Sequence, residues 1–123
     1  MIKGLIVGHR NIGEGLLNAL ESISGSFENI IFISNNGLST NEFAEKIKDV
    51  CKEYQNDDVM IFVDVYGGSC WRAAKMAKLP RCHIITGLNL SMLLSFVNKR
   101  DSFSFDELSS ILVIDGKRGI TAE

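Results

Sequence analysis

The stretch Ile2-Lys3-Gly4-Leu5-Ile6-Val7-Gly8-His9 decides the fold, because it is an almost unbroken apolar run that ends on a histidine. Apolar runs of this kind are typical of strands that are buried on both faces of a parallel sheet. A helical stripe of apolar residues follows over 12–23, and Gly25 closes it. The chain therefore begins as strand, histidine and helix, which is the start of an α/β unit.

The same alternation continues along the rest of the chain. Three further apolar runs predict strands at 30–33, 59–63 and 82–86. Residues that commonly cap helices predict the start of four more helices: Ser39 with Glu42, Ser69, Asn89, and Ser104 with Glu107. The helix that starts at Ser39 is expected to run to about Tyr54. The run 111–114 has strand propensity, yet it could also complete the helix that starts at Ser104.

Strands that alternate with helices predict a doubly wound α/β fold. Its sheet would be mainly parallel, with four parallel strands joined by right-handed crossovers and helices on both faces. The length of 123 residues fits one domain that spans residues 1–123.

Composition excludes several classes of function. A net charge of -2 argues against a nucleic-acid surface or a polybasic membrane face. The apolar runs are too short to cross a bilayer, and Met1 leads so directly into a strand that no signal peptide is expected. The three cysteines, Cys51, Cys70 and Cys82, have no C-x-x-C spacing, so we expect reduced thiols in a cytoplasm.

Chemistry-bearing residues follow two of the strands. His9 follows the first strand, and Asp64 with Gly67-Gly68-Ser69 follows the third. In an open α/β sheet, such groups meet outside the carboxyl ends of the strands. A histidine oriented by a carboxylate is a competent nucleophile, and a glycine-rich turn before a helix can hold phosphate oxygens. The pattern predicts phosphoryl transfer through His9, oriented by Asp64, with Gly67, Gly68 and Ser69 holding the phosphate.

Other familiar chemistries lack their motifs. The loop that follows Val7 has neither the Lys-Ser/Thr of a P-loop nor the G-x-G-x-x-G of a dinucleotide fold. No cysteine precedes an arginine by six positions, as the usual cysteine-phosphatase loop requires. With only two histidines and no zinc-like Cys/His spacing, we expect neither a metal nor a cofactor.

Three segments of the chain resemble the enzyme IIA component of the mannose class of the bacterial sugar phosphotransferase system. They lie after the first, third and fourth strands: Ile6-Val7-Gly8-His9, Phe62-Val63-Asp64-Val65-Tyr66-Gly67-Gly68-Ser69, and Ile85-Thr86-Gly87-Leu88-Asn89-Leu90-Ser91-Met92-Leu93. Together with the order of the elements, the similarity extends over essentially the whole chain.

The resemblance implies a mechanism and its partners. His9 would accept a phosphoryl group from the histidine-containing phosphocarrier protein and pass it to a IIB component during sugar uptake. Asp64 would orient the imidazole, and Ser69 would contact the phosphoryl group, while the sugar never touches this chain. The protein would be cytoplasmic and not embedded in the membrane. Association with a membrane transporter complex is compatible with this location.

The resemblance also implies a homodimer. Residues 119–122 would form a short C-terminal strand, antiparallel to the sheet and exchanged between subunits. The helix that starts at Ser104 would then extend further than propensity alone suggests, through the ambiguous run 111–114.

The chain departs from the family pattern at several places beside the predicted site. Gly8 replaces a common threonine, Arg10 a small residue, Cys70-Trp71-Arg72 the usual Pro-Phe-Asn, and Ser91 a frequent proline. Arg10 and Arg72 are candidates for further phosphate contacts, with solvated surface charge as the alternative. A helix N-terminus can lower a thiol pKa, yet Cys70 is better interpreted as a plain small residue, and His83 as structural.

Two other functions stay open at this point. One is a regulatory protein of the same fold, which senses phosphotransfer flux without serving a transporter; Arg10 and the altered segment 70–72 motivate it. The other is a flavodoxin-like module that binds a small phosphorylated ligand, and it would still bind that ligand after His9→Ala.

Overall fold

The computed structural model describes residues 1–123, which form four strands and five α-helices. In chain order these elements are β1 (Lys3–Gly8), α1 (Ile12–Ser24), β2 (Ile30–Ser34), α2 (Thr40–Val50), β3 (Val59–Val63), α3 (Ser69–Ala77), β4 (Cys82–Thr86), α4 (Leu90–Lys99) and α5 (Phe105–Arg118). The predicted alternation of strands and helices is therefore confirmed.

All neighbouring strands pair in parallel, in the order β2-β1-β3-β4. The central strands β1 and β3 are almost wholly buried, which explains their continuous apolar sequences. One buried cluster lies between the sheet and helices α2 and α3, and the second lies between the opposite face and α1, α4 and α5. Helices on both faces confirm the doubly wound α/β architecture.

Helix α5 resolves the ambiguous tail. It begins at a Ser104 cap, whose hydroxyl accepts a bond from the Glu107 amide at 3.2 Å, and it continues through 111–114 to Arg118. Residues 119–123 have no regular secondary structure, so the exchanged C-terminal strand and the dimer stay predictions. No helix has both the length and the apolar character that a membrane span needs.

Two predicted helix boundaries are wrong. Helix α2 ends at Val50, and a 3₁₀ turn over Cys51–Tyr54 replaces its expected last turn, a tightening that is common at helix ends. Ser69 is not a cap, because Gly68 takes the N-cap position in an extended conformation and its carbonyl accepts the first helical bond, from the Arg72 amide at 3.1 Å. The capping box at Ser39 and the Asn89 cap are confirmed.

Candidate functional site

The sheet topology brings His9 and Asp64 together. Strands β1 and β3 are neighbours, and their register pairs Val7 with Val63. Both strands therefore end at the same level of the sheet, with Asp64 beside Gly8 and next to His9. The prediction that these two side chains meet at the carboxyl edge is confirmed by a direct contact between them.

Asp64 holds His9 by two hydrogen bonds to one carboxylate oxygen. Oδ2 of Asp64 accepts from the His9 backbone amide at 2.9 Å and lies 2.7 Å from His9 Nδ1, while Oδ1 accepts from the Val65 amide at 2.9 Å. The Asp64 side chain is only 5% exposed, whereas that of His9 is 47% exposed. Because an ionised carboxylate only accepts hydrogen bonds, Nδ1 carries the ring proton. The lone pair of the neutral imidazole is thus on Nε2, the nitrogen that the carboxylate does not contact.

Cys70 is a third member of the cluster, and the sequence reasoning missed this role. Its Sγ lies 3.6 Å from His9 Nδ1, and the residue is fully buried in the first turn of α3. Burial, together with the nearby charge of Asp64, raises the pKa of the Cys70 thiol to about 11, so the thiol is protonated at neutral pH. A lowered thiol pKa is excluded. The signal in the sequence was position alone, six residues after the aspartate, where the next helix begins.

The glycine turn joins Asp64 to α3. Gly67 has φ +80°, a left-handed conformation that a side chain would strain, and Gly68 is extended. Since the first backbone bond of α3 is donated by the Arg72 amide, helix geometry leaves the amides of residues 69–71 without an intrahelical acceptor. Asp64 and Cys70 both contact His9, so the loop between them lies at the same edge. Free amides at a helix N-terminus favour anions.

Gly8 has a steric role that accounts for its place beside the histidine. A Cβ atom there would stand 2.9 Å from Cγ2 of Ile12 and 3.2 Å from the Asp64 carboxyl group. Ile12 therefore occupies the space that a larger residue 8 would need. A threonine at this position would displace either Ile12 or the carboxylate.

The two arginines near the site carry no ion pair. Arg10 is exposed directly after His9 and has φ +52°, and it lines an open cavity with Asn35, Asn36 and Gly37. Arg72 is exposed in the first turns of α3. Both are free to meet an anion.

His83 lies outside the site. It is in the edge strand β4, where its Nε2 is 2.7 Å from Asp106 Oδ1 and its ring packs on Phe105 at 4.3 Å between centroids. The contacts tie β4 to the start of α5, which supports the structural interpretation. The sequence offered no nearby carboxylate, because Asp106 comes from a distant helix. Trp71 packs against Tyr66, with ring centroids 5.0 Å apart.

Comparisons with known proteins agree with the fold. A family profile described as "PTS system fructose IIA component" (EIIA-man) matches residues 3–113. The phosphotransferase system component EIIA from Streptococcus agalactiae superimposes with a TM-score of 0.89 at 27% identity, over 99% of this chain and 97% of that one. No curated protein matches the chain.

Two further solved structures have the same architecture. The mannose/sorbose specific IIA subunit from Enterococcus faecalis has a TM-score of 0.87 at 25% identity, with 98% of this chain and 93% of that one covered. The PTS IIA protein associated with the fucose utilization operon of Streptococcus pneumoniae has a TM-score of 0.81 at 22% identity, with 98% and 92% covered. The latter likeness shows the fold alone.

Proposed function

Because the chain belongs to the PTS system fructose IIA component family, which works in phosphotransfer within the sugar phosphotransferase system, we propose that it carries the phosphoryl group on His9. The donor is the histidine-containing phosphocarrier protein, and the acceptor is a IIB component during sugar uptake. The observation that carries this proposal is the pair of hydrogen bonds by which Asp64 fixes the ring of His9.

The transfer step follows from that geometry. The Nε2 lone pair of His9 attacks the phosphorus of the donor's phosphohistidine, the new N–P bond forms, and the donor's N–P bond breaks with its electron pair returning to the donor imidazole. The His9 ring becomes positive as the bond forms, and the Asp64 carboxylate on Nδ1 stabilises that charge. Transfer to the IIB component is the same exchange with His9 as the leaving group.

The glycine turn, the start of α3 and the two arginines act on the phosphoryl oxygens. The free amides at the start of α3, with the Ser69 hydroxyl, donate to these oxygens, and Gly67 with Gly68 allows the backbone to approach them. Arg10 and Arg72 add positive charge at the edge where the donor docks. No metal or cofactor is needed for this chemistry.

The proposed role sets further expectations. Access to the phosphocarrier implies a cytoplasmic location. The free edge of β4 and the exposed side chains of Ile114 and Ile120, 50% and 75% accessible, support a homodimer with residues 119–122 exchanged. Light scattering of the chain with and without residues 119–123 tests this, and a dimer that survives the truncation contradicts the exchange.

A regulatory protein of the same fold is the second candidate. The unpaired Arg10 and Arg72 beside the site favour it, because they can serve a target other than a IIB component. Genes for IIB, IIC and IID components next to this one favour transport, and their absence favours regulation.

The test is direct phosphorylation with a matched histidine control. Phosphoenolpyruvate, the general first enzyme of the system and the phosphocarrier should place an acid-labile, base-stable phosphoryl group on the chain. His9→Ala should abolish the adduct. His83 is the only other histidine and lies outside the site, so His83→Ala is the control and should retain the adduct. Equal labelling of the His9→Ala variant would remove His9 from the mechanism.

A further inference from the structure

Three different metal-binding atoms converge at His9. Nδ1 of His9, a carboxylate oxygen of Asp64 and Sγ of Cys70 all lie within 4.8 Å of one another. They come from the end of β1, the end of β3 and the first turn of α3. No other group of three such side chains in the chain is arranged this way. We propose that His9, Asp64 and Cys70 form a Zn²⁺ site that holds His9 in the tautomer unable to accept a phosphoryl group.

One of the three ligand separations already suits a zinc ion, and the other two lie within 4.8 Å. Zinc binds imidazole nitrogen, carboxylate oxygen and thiolate sulfur at about 2.0–2.3 Å in tetrahedral sites, which holds ligand atoms about 3.3–3.7 Å apart. The separation of 3.6 Å between Cys70 Sγ and His9 Nδ1 already falls in that range. The 2.7 Å contact between Nδ1 and Asp64 must lengthen, as it does when a metal replaces the shared proton. Water completes the fourth position on the half-exposed histidine side.

The donor set selects zinc over the common hard cations. Mg²⁺ and Ca²⁺ take oxygen ligands, and this cluster supplies one carboxylate beside a nitrogen and a sulfur. The carboxylate and the thiolate together balance the charge of +2 on the ion. The thiol proton is released to solvent on binding.

Zinc on Nδ1 changes the reactive nitrogen. The neutral ring keeps one proton, which moves from Nδ1 through solvent to Nε2. Nε2 then has no lone pair for attack on phosphorus, so the zinc form cannot accept the group. This regulatory half of the proposal rests on the proposed phosphocarrier function, while the metal site itself does not.

Cobalt binding tests the site without any phosphotransfer. The full chain, freed of metal with a chelator, is titrated with Co²⁺ and then with Zn²⁺ against a coloured chelator. The parent protein and the Cys82→Ala control should show the thiolate-to-cobalt charge-transfer band. Cys70→Ala and Cys70→Ser should lose it and bind zinc about tenfold or more weakly. Far-ultraviolet circular dichroism confirms that each variant is folded, and at least one folded Cys70 variant is enough.

Either of two cobalt results would overturn the site: no charge-transfer band in the parent protein, or an equal band in a folded Cys70 variant. His9→Ala should also weaken zinc binding about tenfold or more, and unchanged affinity would exclude a site that includes the imidazole.

Phosphoryl transfer with and without Zn²⁺ tests the regulation. Zn²⁺ should slow transfer to the parent chain about tenfold or more. For Cys70→Ala the rates with and without Zn²⁺ should be nearly equal, and this variant also controls for zinc acting on the donor proteins. Equal transfer rates for the zinc-loaded and the metal-free parent chain would overturn the regulation. If the metal-free parent accepts no phosphoryl group, the proposed function fails, whereas the cobalt result still decides the metal site.

Discussion

Replacing Asp64 with asparagine isolates the role of the carboxylate in setting the His9 tautomer. Oδ2 of Asp64 accepts from the His9 amide and from Nδ1, while Oδ1 accepts from the Val65 amide. An asparagine of the same shape has one oxygen and one NH₂ group for these three donors. If the oxygen stays on Val65, the NH₂ group faces Nδ1, which must then accept, and the ring proton moves to Nε2. If the amide flips, NH₂ faces the Val65 amide.

The size of the effect follows from the bond that is lost. A hydrogen bond to a charged group contributes about 1.5–3 kcal/mol, and 1.36 kcal/mol corresponds to about a factor of ten in rate. The lost bond alone therefore slows transfer about 10- to 100-fold. Loss of the negative charge beside the developing imidazolium brings the expected decrease to about 10²- to 10⁴-fold. Stability should fall by about 1–3 kcal/mol, because one buried donor or acceptor is left unpaired.

The assay compares phosphoryl transfer from the phosphorylated carrier by rapid quench, and ¹⁵N shifts of the ring report the tautomer. Asp106→Asn is the matched control, because Asp106 makes the same 2.7 Å contact with the other histidine, His83, away from the site. That variant should transfer at the parent rate. An Asp64→Asn protein that also transfers at close to the parent rate, with Nε2 still unprotonated, would refute the reasoning.

Three further perturbations have expected outcomes. Gly8→Ala places a Cβ atom 2.9 Å from a methyl group of α1, so thermal unfolding should show a loss of about 1–3 kcal/mol; an unchanged melting temperature contradicts the packing. Gly67→Ala forces a side chain into φ +80°, costing about 1–2 kcal/mol, whereas Gly68→Ala in an extended backbone should not carry this penalty; equal losses would contradict the assignment. Hydrogen bonds from Lys99 and Ser95 lower the pKa of Asp115. The contribution of Asp115 to stability is therefore present above about pH 4 and is lost as the pH falls through its folded-state pKa. Acid titration of Asp115→Asn should show a shallower loss of stability, and an identical slope would exclude this contribution.

Local signals explain most of the fold prediction. The central strands are buried on both faces, so their sequences are continuous apolar runs that stand out without any tertiary information. Helix starts were predicted where a side chain caps its own backbone, as at Ser39 and Asn89. Ser69 failed as a cap because Gly68 can take the same role with its backbone alone. The tail needed the family resemblance, since residues 111–114 have strand propensity, whereas the burial of Leu112 in the core depends on tertiary structure.

The candidate site was predictable in part, for a topological reason. In a doubly wound sheet, residues that follow neighbouring parallel strands must meet, so His9 and Asp64 could be paired from the order of the elements. Cys70 could not be placed in the same way, because its approach depends on where α3 begins and which face it turns inward. Asp106 was missed for the same reason, since it reaches His83 from another helix.

Gly8 shows why a departure from a family motif is hard to interpret one residue at a time. Gly8 has no side chain, and the space this leaves is filled by the Cγ2 methyl group of Ile12, the first residue of α1. The same space borders the Asp64 carboxyl group, which is only 5% exposed. A side chain at position 8 would therefore press on both Ile12 and the Asp64 carboxyl group. Gly8→Thr should therefore disturb the His9–Asp64 contact less when residue 12 is made smaller at the same time.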